Sequence, residues 1–78
     1  MTNLEQYKKV FMDCFEIEEG RLNGLKYQDI SAWDSVGHMD LIAELEETFD
    51  ISMETDDIID FGSFEKGIEI LKKYDIEM

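Results

Sequence analysis

Three side chains that can take part in chemistry lie close together near the middle of the chain. Asp34 and Ser35 are adjacent, and His38, the only histidine, follows Ser35 by three residues. If this segment is helical, that spacing makes the Ser35 hydroxyl and the His38 imidazole neighbours, as a nucleophile and its general base require. One interpretation is therefore a small hydrolase. Because the sequence shows neither a partner to orient His38 nor a pocket around it, we favour an exposed helix histidine.

The same segment carries the signals of a helix start. The carboxylate of Asp34 is suited to accept hydrogen bonds from the unpaired amides of a first helical turn, which makes Asp34 the predicted N-cap. Ser35 is then the first helical residue, and a side chain there projects from the helix end into solvent. We expect its hydroxyl to be within reach of another protein. The plainer alternative is an ordinary serine at a helix start.

The helix that begins at Ser35 is predicted to end at Phe49 or Asp50 and to have two different faces. At about 100° per residue, one face forms a core stripe of Leu41, Ile42, Leu45 and Phe49. The opposite face mixes small apolar side chains with carboxylates, which is typical of transient docking surfaces because apolar contact gives affinity and charge gives steering. The predicted docking residues are Val36, Met39, Asp40, Ala43, Glu44, Glu47 and, just after the helix, Met53.

A first helix is predicted near the amino terminus. Thr2 and Glu5 form a capping-box pattern, and the helix should run to about Phe15 or Ile17. Gly20 is suited to a left-handed turn that ends this segment. The core stripe of the helix is expected to be Leu4, Tyr7, Phe11, Cys14 and Phe15.

Residues 21–33 have no helical or strand period and predict an unusually long loop for so small a chain. A turn is expected at Asn23-Gly24. A loop of this length must be fixed to the rest of the fold, so we expect its apolar side chains to be buried in the core. They are Leu22, Leu25, Tyr27, Ile30 and Trp33.

Two shorter helices are predicted after residue 53. Thr55 caps a brief third helix that ends at Phe61, and Ser63 caps a fourth. Gly67 lies inside the fourth helix at a cost of about 1 kcal/mol relative to alanine, which suggests a close helix approach. Without a proline or a period-two segment, residues 1–78 are predicted to form one all-α domain. The fold is a four-helix bundle with a long first loop and a short third helix. The apolar stripe of the fourth helix is Phe64, Ile68, Leu71 and Tyr74.

The charge of the chain is large and unevenly distributed. The formal net charge is -13 on 78 residues, and the segment from 27 to 65 holds twelve Asp or Glu and none of the seven basic residues. This excludes sequence-independent binding to nucleic-acid backbones or anionic membranes, since both need a basic surface. We expect basic protein partners that are attracted in a salt-dependent way. The alternative is an acidic face that only keeps the protein soluble.

The size of the chain also limits its function. A domain of this length buries roughly 60% of the surface of the unfolded chain, which leaves one thin core and no deep catalytic cleft. The lone Cys14 is expected to be a small core residue. No apolar run approaches the ~20 residues of a membrane span, and the first ten residues are too polar for a signal peptide. We therefore expect a cytoplasmic monomer.

The segment around Ser35 resembles the attachment site of acyl carrier proteins, small helical domains that carry a 4'-phosphopantetheine arm on a serine. In that family the serine follows an aspartate, precedes an aliphatic residue and opens an acidic helix, roles that fall here on Asp34, Ser35 and Val36. The length, the long first loop and the short third helix also fit, so the resemblance covers nearly the whole chain.

The residues next to the attachment segment refine this resemblance. The run Trp33-Asp34-Ser35-Val36-Gly37-His38 is more similar to free-standing carriers of polyketide, nonribosomal peptide or cell-surface modification pathways than to carriers of fatty-acid synthesis. Gly37 weakens helix initiation slightly.

The resemblance implies that the chain is a carrier and not an enzyme. It implies a phosphopantetheinyl transferase that attaches the arm from coenzyme A to Ser35, with Asp34 capping the helix and orienting the site. It further implies an acyl- or aminoacyl-activating enzyme that loads the arm, and a synthase or transferase with a basic docking patch that receives the thioester. A pocket for short or medium acyl chains is also implied, although its candidate residues are equally explained as plain core. These are Leu45, Phe49, Ile58, Ile59 and Ile68.

Two alternatives stay open beside the carrier interpretation. The chain can be an unmodified acidic adaptor that docks on a basic partner through its second helix, or the small hydrolase that uses Ser35 and His38. The acids at Asp56, Asp57 and Asp60 invite a calcium interpretation, but the spacing of a calcium-binding loop is missing. We predict no metal site.

Overall fold

Four α helices form the regular structure of the chain, in a computed structural model that describes residues 1–78. They are α1 (Asn3–Phe15), α2 (Ser35–Phe49), α3 (Thr55–Asp60) and α4 (Phe64–Lys72), with one 3-10 turn at Glu19–Arg21. There is no strand, and only a single isolated bridge joins Lys26 to Ser63. The prediction of a small all-α bundle with a long first loop and a short third helix is confirmed.

Helix α1 begins and ends where its sequence predicts, but the turn that follows it is made by a different residue. The Thr2 hydroxyl accepts from the amide of Glu5 at 3.1 Å, and the Glu5 carboxylate accepts from the amide of Thr2 at 3.1 Å, which completes the capping box. The left-handed residue after the helix is Glu16, with φ of 53°. The expectation of a left-handed Gly20 is wrong, because the turn is already made at Glu16 and Gly20 lies in the 3-10 turn that follows.

The long loop is fastened to the core by its side chains and by its backbone. Leu22, Leu25 and Trp33 are buried, as predicted. Tyr27 was also predicted to enter the core, and this prediction is wrong, because its side chain is 37% exposed. Its amide instead donates to the carbonyl of Gly62 at 3.0 Å. The loop is thereby held against the segment between α3 and α4.

The core stripe of α2 agrees with its helical period. Leu41, Ile42 and Leu45 are buried and Phe49 is half-buried. The helix ends at Phe49, and Asp50 after it adopts a left-handed conformation with φ of 54°. The boundaries and the buried face of α2 are therefore those that the sequence predicts.

The two carboxyl-terminal helices differ in how they begin. Ser63 caps α4 by accepting from the amide of Lys66 at 3.0 Å, as predicted. Thr55 is not a cap, because it is already helical and the cap position is taken by Glu54, whose side chain makes no capping bond. A helix of six residues without a side-chain cap has little stability of its own. It depends on contacts with the rest of the fold.

Gly67 leaves room for two aromatic side chains and not for the backbone of another helix, so the close helix approach that its position suggested is not what the structure shows. A β-carbon at this residue would collide with the Tyr7 hydroxyl and the Phe61 ring. Tyr7 is buried, and its hydroxyl donates to the carbonyl of Phe64 at 2.6 Å. Burial raises the pKa of this phenol, and the nearby Glu65 carboxylate adds to the effect. The bond joins α1 to the first turn of α4.

Phe11 lies at the centre of the core. Its ring is surrounded by five other aromatic rings at centroid distances of 5.0 to 6.3 Å, and edge-to-face pairs predominate. These partners are Tyr7, Phe15, Trp33, Phe61 and Phe64. The core thus joins α1, the end of the long loop and the α3–α4 junction.

A buried carboxylate ties α3 to the end of α4. One oxygen of Asp57 accepts from the Lys73 ammonium at 2.6 Å, and the other accepts from the Tyr74 hydroxyl at 2.6 Å. These hydrogen bonds hold the pKa of Asp57 below its ordinary value and raise the pKa of both Lys73 and Tyr74. The Tyr74 oxygen also accepts from the amide of Glu54, so this network supports the start of α3.

The two ends of the chain lie together. The side-chain amide of Asn3 donates to the carbonyl of Glu77 at 3.0 Å. At the other end of α1, the Phe15 ring stacks on Trp33 at 5.4 Å.

As for membranes, every helix falls short of the length and apolar character that crossing a bilayer requires.

Candidate functional site

Ser35 is the first residue of α2, and it is exposed. Asp34 precedes it in an extended conformation, and its carboxylate accepts from the amide of Gly37 at 2.8 Å. The backbone carbonyl of Asp34 accepts the first helical hydrogen bond from His38 at 2.7 Å. The predicted cap and the predicted exposure of Ser35 are both present, so the hydroxyl stands at an ordered helix start.

The loop before Ser35 packs tightly on the first turn of α2. A β-carbon at Gly37 would collide with the carbonyl oxygen of Ala32, and would lie 3.1 Å from the carbonyl carbon of the same residue. By its residue type alone, Gly37 is only a weak helix former. Its physical role is to make room for the loop, which brings Ala32 and Trp33 against the helix that carries Ser35.

His38 is half-buried and fully hydrogen-bonded, so its interpretation as an exposed histidine is wrong. The indole N–H of Trp33 lies 2.9 Å from His38 Nδ1, and His38 Nε2 lies 2.8 Å from the carbonyl oxygen of Ile58. An indole nitrogen only donates and a carbonyl only accepts. These partners therefore assign a neutral ring with its proton on Nε2, an assignment made from the hydrogen bonds. The partner that the sequence did not reveal is Ile58, which lies on α3.

This geometry removes the support for a Ser35–His38 hydrolase. A general base needs a free lone pair within hydrogen-bond distance of the hydroxyl. Nδ1 of His38 already accepts from Trp33, and Nε2 carries the proton that it donates to Ile58. Neither ring nitrogen is free to take the proton of Ser35.

A shallow groove of about 370 Å³ lies beside Ser35. Met39 from α2 and Ile59 from α3 are 54% and 73% exposed, so large apolar side chains meet solvent on both sides of the groove. The groove joins the start of α2, the side of α3 and the loop. Its lining residues are Tyr27, Ser35, His38, Met39, Ile58, Ile59, Phe61 and Gly62.

The five candidate pocket residues do not form one pocket. Ile58 and Ile59 line the groove beside Ser35. Leu45 is buried in the core, and Phe49 and Ile68 are half-buried against it. The groove is instead completed by residues that the sequence analysis did not select for a pocket, namely Tyr27, His38, Met39 and Phe61.

The side chains that were predicted to form a docking face on α2 are exposed, with one exception. Val36 is 69% exposed and Met39 is 54% exposed. The other exposed members of the face are Asp40, Ala43, Glu44 and Glu47. Met53 is only 8% exposed and does not belong to this surface. Its amide donates to the Glu46 carboxylate at 2.8 Å, and its side chain turns into the core.

Part of this docking face borders a second groove, of about 660 Å³, between α1 and α2. Asp40, Ala43 and Glu44 line it on one side and Cys14 on the other. Burial raises the pKa of the Cys14 thiol, and the carboxylates of Asp40 and Glu44 add to the effect. Cys14 is half-buried at the edge of the core, and its surroundings disfavour the reactive thiolate.

Comparison with known proteins leaves the site to be interpreted from its own residues. No protein-family model matches the chain, and no match is found among curated proteins or solved structures. Within the chain, no group of three or more His, Cys, Asp or Glu side chains is arranged to hold a metal ion.

Proposed function

We propose that this chain is a carrier protein of the acyl-carrier type, which is modified on Ser35 with 4'-phosphopantetheine. The observation that carries the proposal is the exposed Ser35 hydroxyl at the capped start of α2, beside an open apolar groove. A hydroxyl in that position is accessible to a second protein and is held by an ordered backbone. The four-helix order, with a long first loop and a short α3, is the supporting context.

In the attachment reaction, this chain contributes a positioned hydroxyl group, and the transferase contributes the base and the metal ion. Ser35 Oγ attacks the β-phosphorus of coenzyme A, and a new oxygen–phosphorus bond forms. The bond from that phosphorus to the bridging pyrophosphate oxygen breaks, and 3',5'-ADP leaves. The hydroxyl proton passes to a base of the transferase, which also supplies the magnesium ion that neutralises the phosphate charge. The positive end of the α2 dipole favours the anionic phosphodiester that results.

The surroundings of Ser35 fit a flexible arm and its cargo. When attached, the arm supplies a terminal thiol that holds an acyl or aminoacyl group as a thioester. Met39, Ile58 and Ile59 offer apolar contact next to the attachment oxygen. His38, the nearest titratable ring, has both nitrogens engaged and is not free to act as a base toward the cargo.

The charge distribution supports partners with a basic surface. The docking face presents Asp40, Glu44 and Glu47 as exposed carboxylates beside the apolar Val36 and Met39. It therefore suits enzymes with a basic patch around an apolar contact. The partners in the proposal are the phosphopantetheinyl transferase, the acyl- or aminoacyl-activating enzyme and the acceptor synthase or transferase.

Intact-protein mass spectrometry tests the proposal directly. The unmodified chain is incubated with a broad-specificity phosphopantetheinyl transferase, magnesium and coenzyme A. We expect the mass to rise by one phosphopantetheine group in the wild type and in Ser31→Ala, and to stay unchanged in Ser35→Ala. An unchanged mass of the wild type, with a known carrier modified in the same tube, would favour the acidic adaptor. Modification of Ser35→Ala would place the arm elsewhere.

A further inference from the structure

His38 touches every element that borders Ser35. Its ring lies nearly parallel to the Trp33 indole, at 6.2 Å and 16°, and meets Tyr27 and Phe61 edge-on at 5.6 and 6.1 Å. Its two nitrogens bond the Trp33 indole of the loop and the Ile58 carbonyl of α3. One side chain of α2 thus connects the loop before the attachment serine with the helix across the groove.

The bond to Ile58 matters because α3 has few other constraints on this side. The helix is six residues long and has no side-chain cap at its start. The Asp57 network holds the face toward the end of α4. On the groove side, the direct polar contact from α2 is the one that His38 Nε2 makes with the Ile58 carbonyl. Ile58 and Ile59 line the groove, so their positions depend on where this hydrogen bond holds α3.

We propose that His38 is a positioning residue, which holds α3 against the Ser35 end of α2 and so maintains the groove and the exposed Ile59 in the arrangement that partner enzymes bind. The proposal rests on the carrier function proposed above. It assigns His38 no part in proton transfer. Its effect on the reaction at Ser35 passes through the position of α3.

The two hydrogen bonds can be removed separately. In His38→Asn, the side-chain amide places an acceptor where Nδ1 lies, so the bond from Trp33 is retained and the bond to Ile58 is lost. In His38→Gln, the longer side chain places a donor where Nε2 lies, so the bond to Ile58 is retained. His38→Phe keeps the aromatic packing and loses both bonds. Tyr27→Phe, which alters another ring of the same groove, is the matched control.

Amide hydrogen exchange measures how often α3 opens locally, and this measurement does not depend on the carrier function. The amides of α3 that make helical hydrogen bonds are those of residues 58–60. For His38→Asn and His38→Phe we expect these amides to exchange about fivefold faster, the factor that one net hydrogen bond supports. The amides of α1 should change far less. His38→Gln and Tyr27→Phe should exchange α3 at the wild-type rate. Uniform acceleration throughout the chain, or equal α3 rates in all variants, would overturn the proposal.

Transferase kinetics then test the functional consequence. Apparent affinity falls with the fraction of molecules that hold the binding arrangement, so KM for the carrier should rise in His38→Asn and His38→Phe, by at most the factor of about five expected in exchange. The kcat should stay within about twofold of wild type, because Ser35 and Asp34 are unaltered, and His38→Gln should restore KM. A loss confined to kcat, or wild-type KM in all variants, would refute the positioning role. Failure of the wild type to be modified would refute the carrier function, while the exchange result would stand independently.

Discussion

Replacing Gly37 with alanine should destabilise the protein although alanine is the better helix former. In an unobstructed helix interior, alanine stabilises by roughly 0.5–1 kcal/mol relative to glycine. At Gly37 the new methyl group meets the Ala32 carbonyl oxygen and lies 3.4 Å from the Asp34 carboxylate. The obstruction is backbone, which cannot rotate away as a flexible side chain can.

The size of the effect follows from these opposing terms. Overpacking of this kind costs typically 1–3 kcal/mol, and a backbone obstacle on a pinned loop favours the upper part of that range. Subtracting the gain in helix propensity leaves a loss of about 1–2 kcal/mol. For a domain of this length each kcal/mol moves Tm by roughly 4–8 °C. We expect Gly37→Ala to unfold about 5–15 °C below the wild type.

Thermal unfolding followed by circular dichroism measures this difference, with Gly20→Ala as the control. A β-carbon at Gly20 has no heavy atom within 4 Å, so that variant should unfold within about 2 °C of wild type. Because Trp33 is the only tryptophan and follows Ala32, its fluorescence should also change in Gly37→Ala and not in Gly20→Ala. A Tm for Gly37→Ala at or above that of the wild type would refute the tight contact between loop and helix.

Two further predictions concern charge. Replacing Asp40, Glu44 and Glu47 with lysine should slow modification by the transferase about tenfold or more at low salt, and by less at high salt. The circular dichroism spectrum should not change. Equal rates for the variant and the wild type at low salt would contradict the docking face. Because its hydrogen bonds hold the pKa of Asp57 below its ordinary value, the carboxylate stabilises the fold at neutral pH, and this contribution is lost as the pH falls below about 4. Urea midpoints between pH 7 and 2 should therefore fall less steeply in Asp57→Asn than in wild type, and parallel curves would count against the Asp57–Lys73 pair.

The parts of the fold that the sequence predicts well depend on residues close together along the chain. The caps at Thr2, Asp34 and Ser63 each act on an amide three residues later. The buried face of α2 repeats with the helical period. Patterns of three and four residues carry that information directly, which is why the starts of α1, α2 and α4 and the exposed position of Ser35 could be predicted.

The parts that the sequence does not predict depend on backbone atoms and on how the chain folds back on itself, and residue types record neither. His38 bonds the carbonyl of Ile58, twenty residues away, and a carbonyl acceptor leaves no trace in residue type. The collision that makes Gly37 necessary comes from the backbone of Ala32 and is equally invisible in the sequence. Met53 follows α2 as an apolar residue, and its burial depends on how the linker folds over the core.

The pairing of the chain ends has a practical consequence for experiments on Ser35. The bond between Asn3 and Glu77 keeps both termini at one end of α1, while Phe15 at the other end stacks on Trp33. Asn3 and Phe15 lie twelve positions apart along α1, a distance of about 18 Å. A dye, a surface linker or a fused protein attached at the carboxyl terminus therefore starts well away from the serine, and large enzymes can still approach the immobilised carrier. Met1 lines the same groove as Asp40, Ala43 and Glu44, so an attachment at the amino terminus would border the face that those enzymes approach.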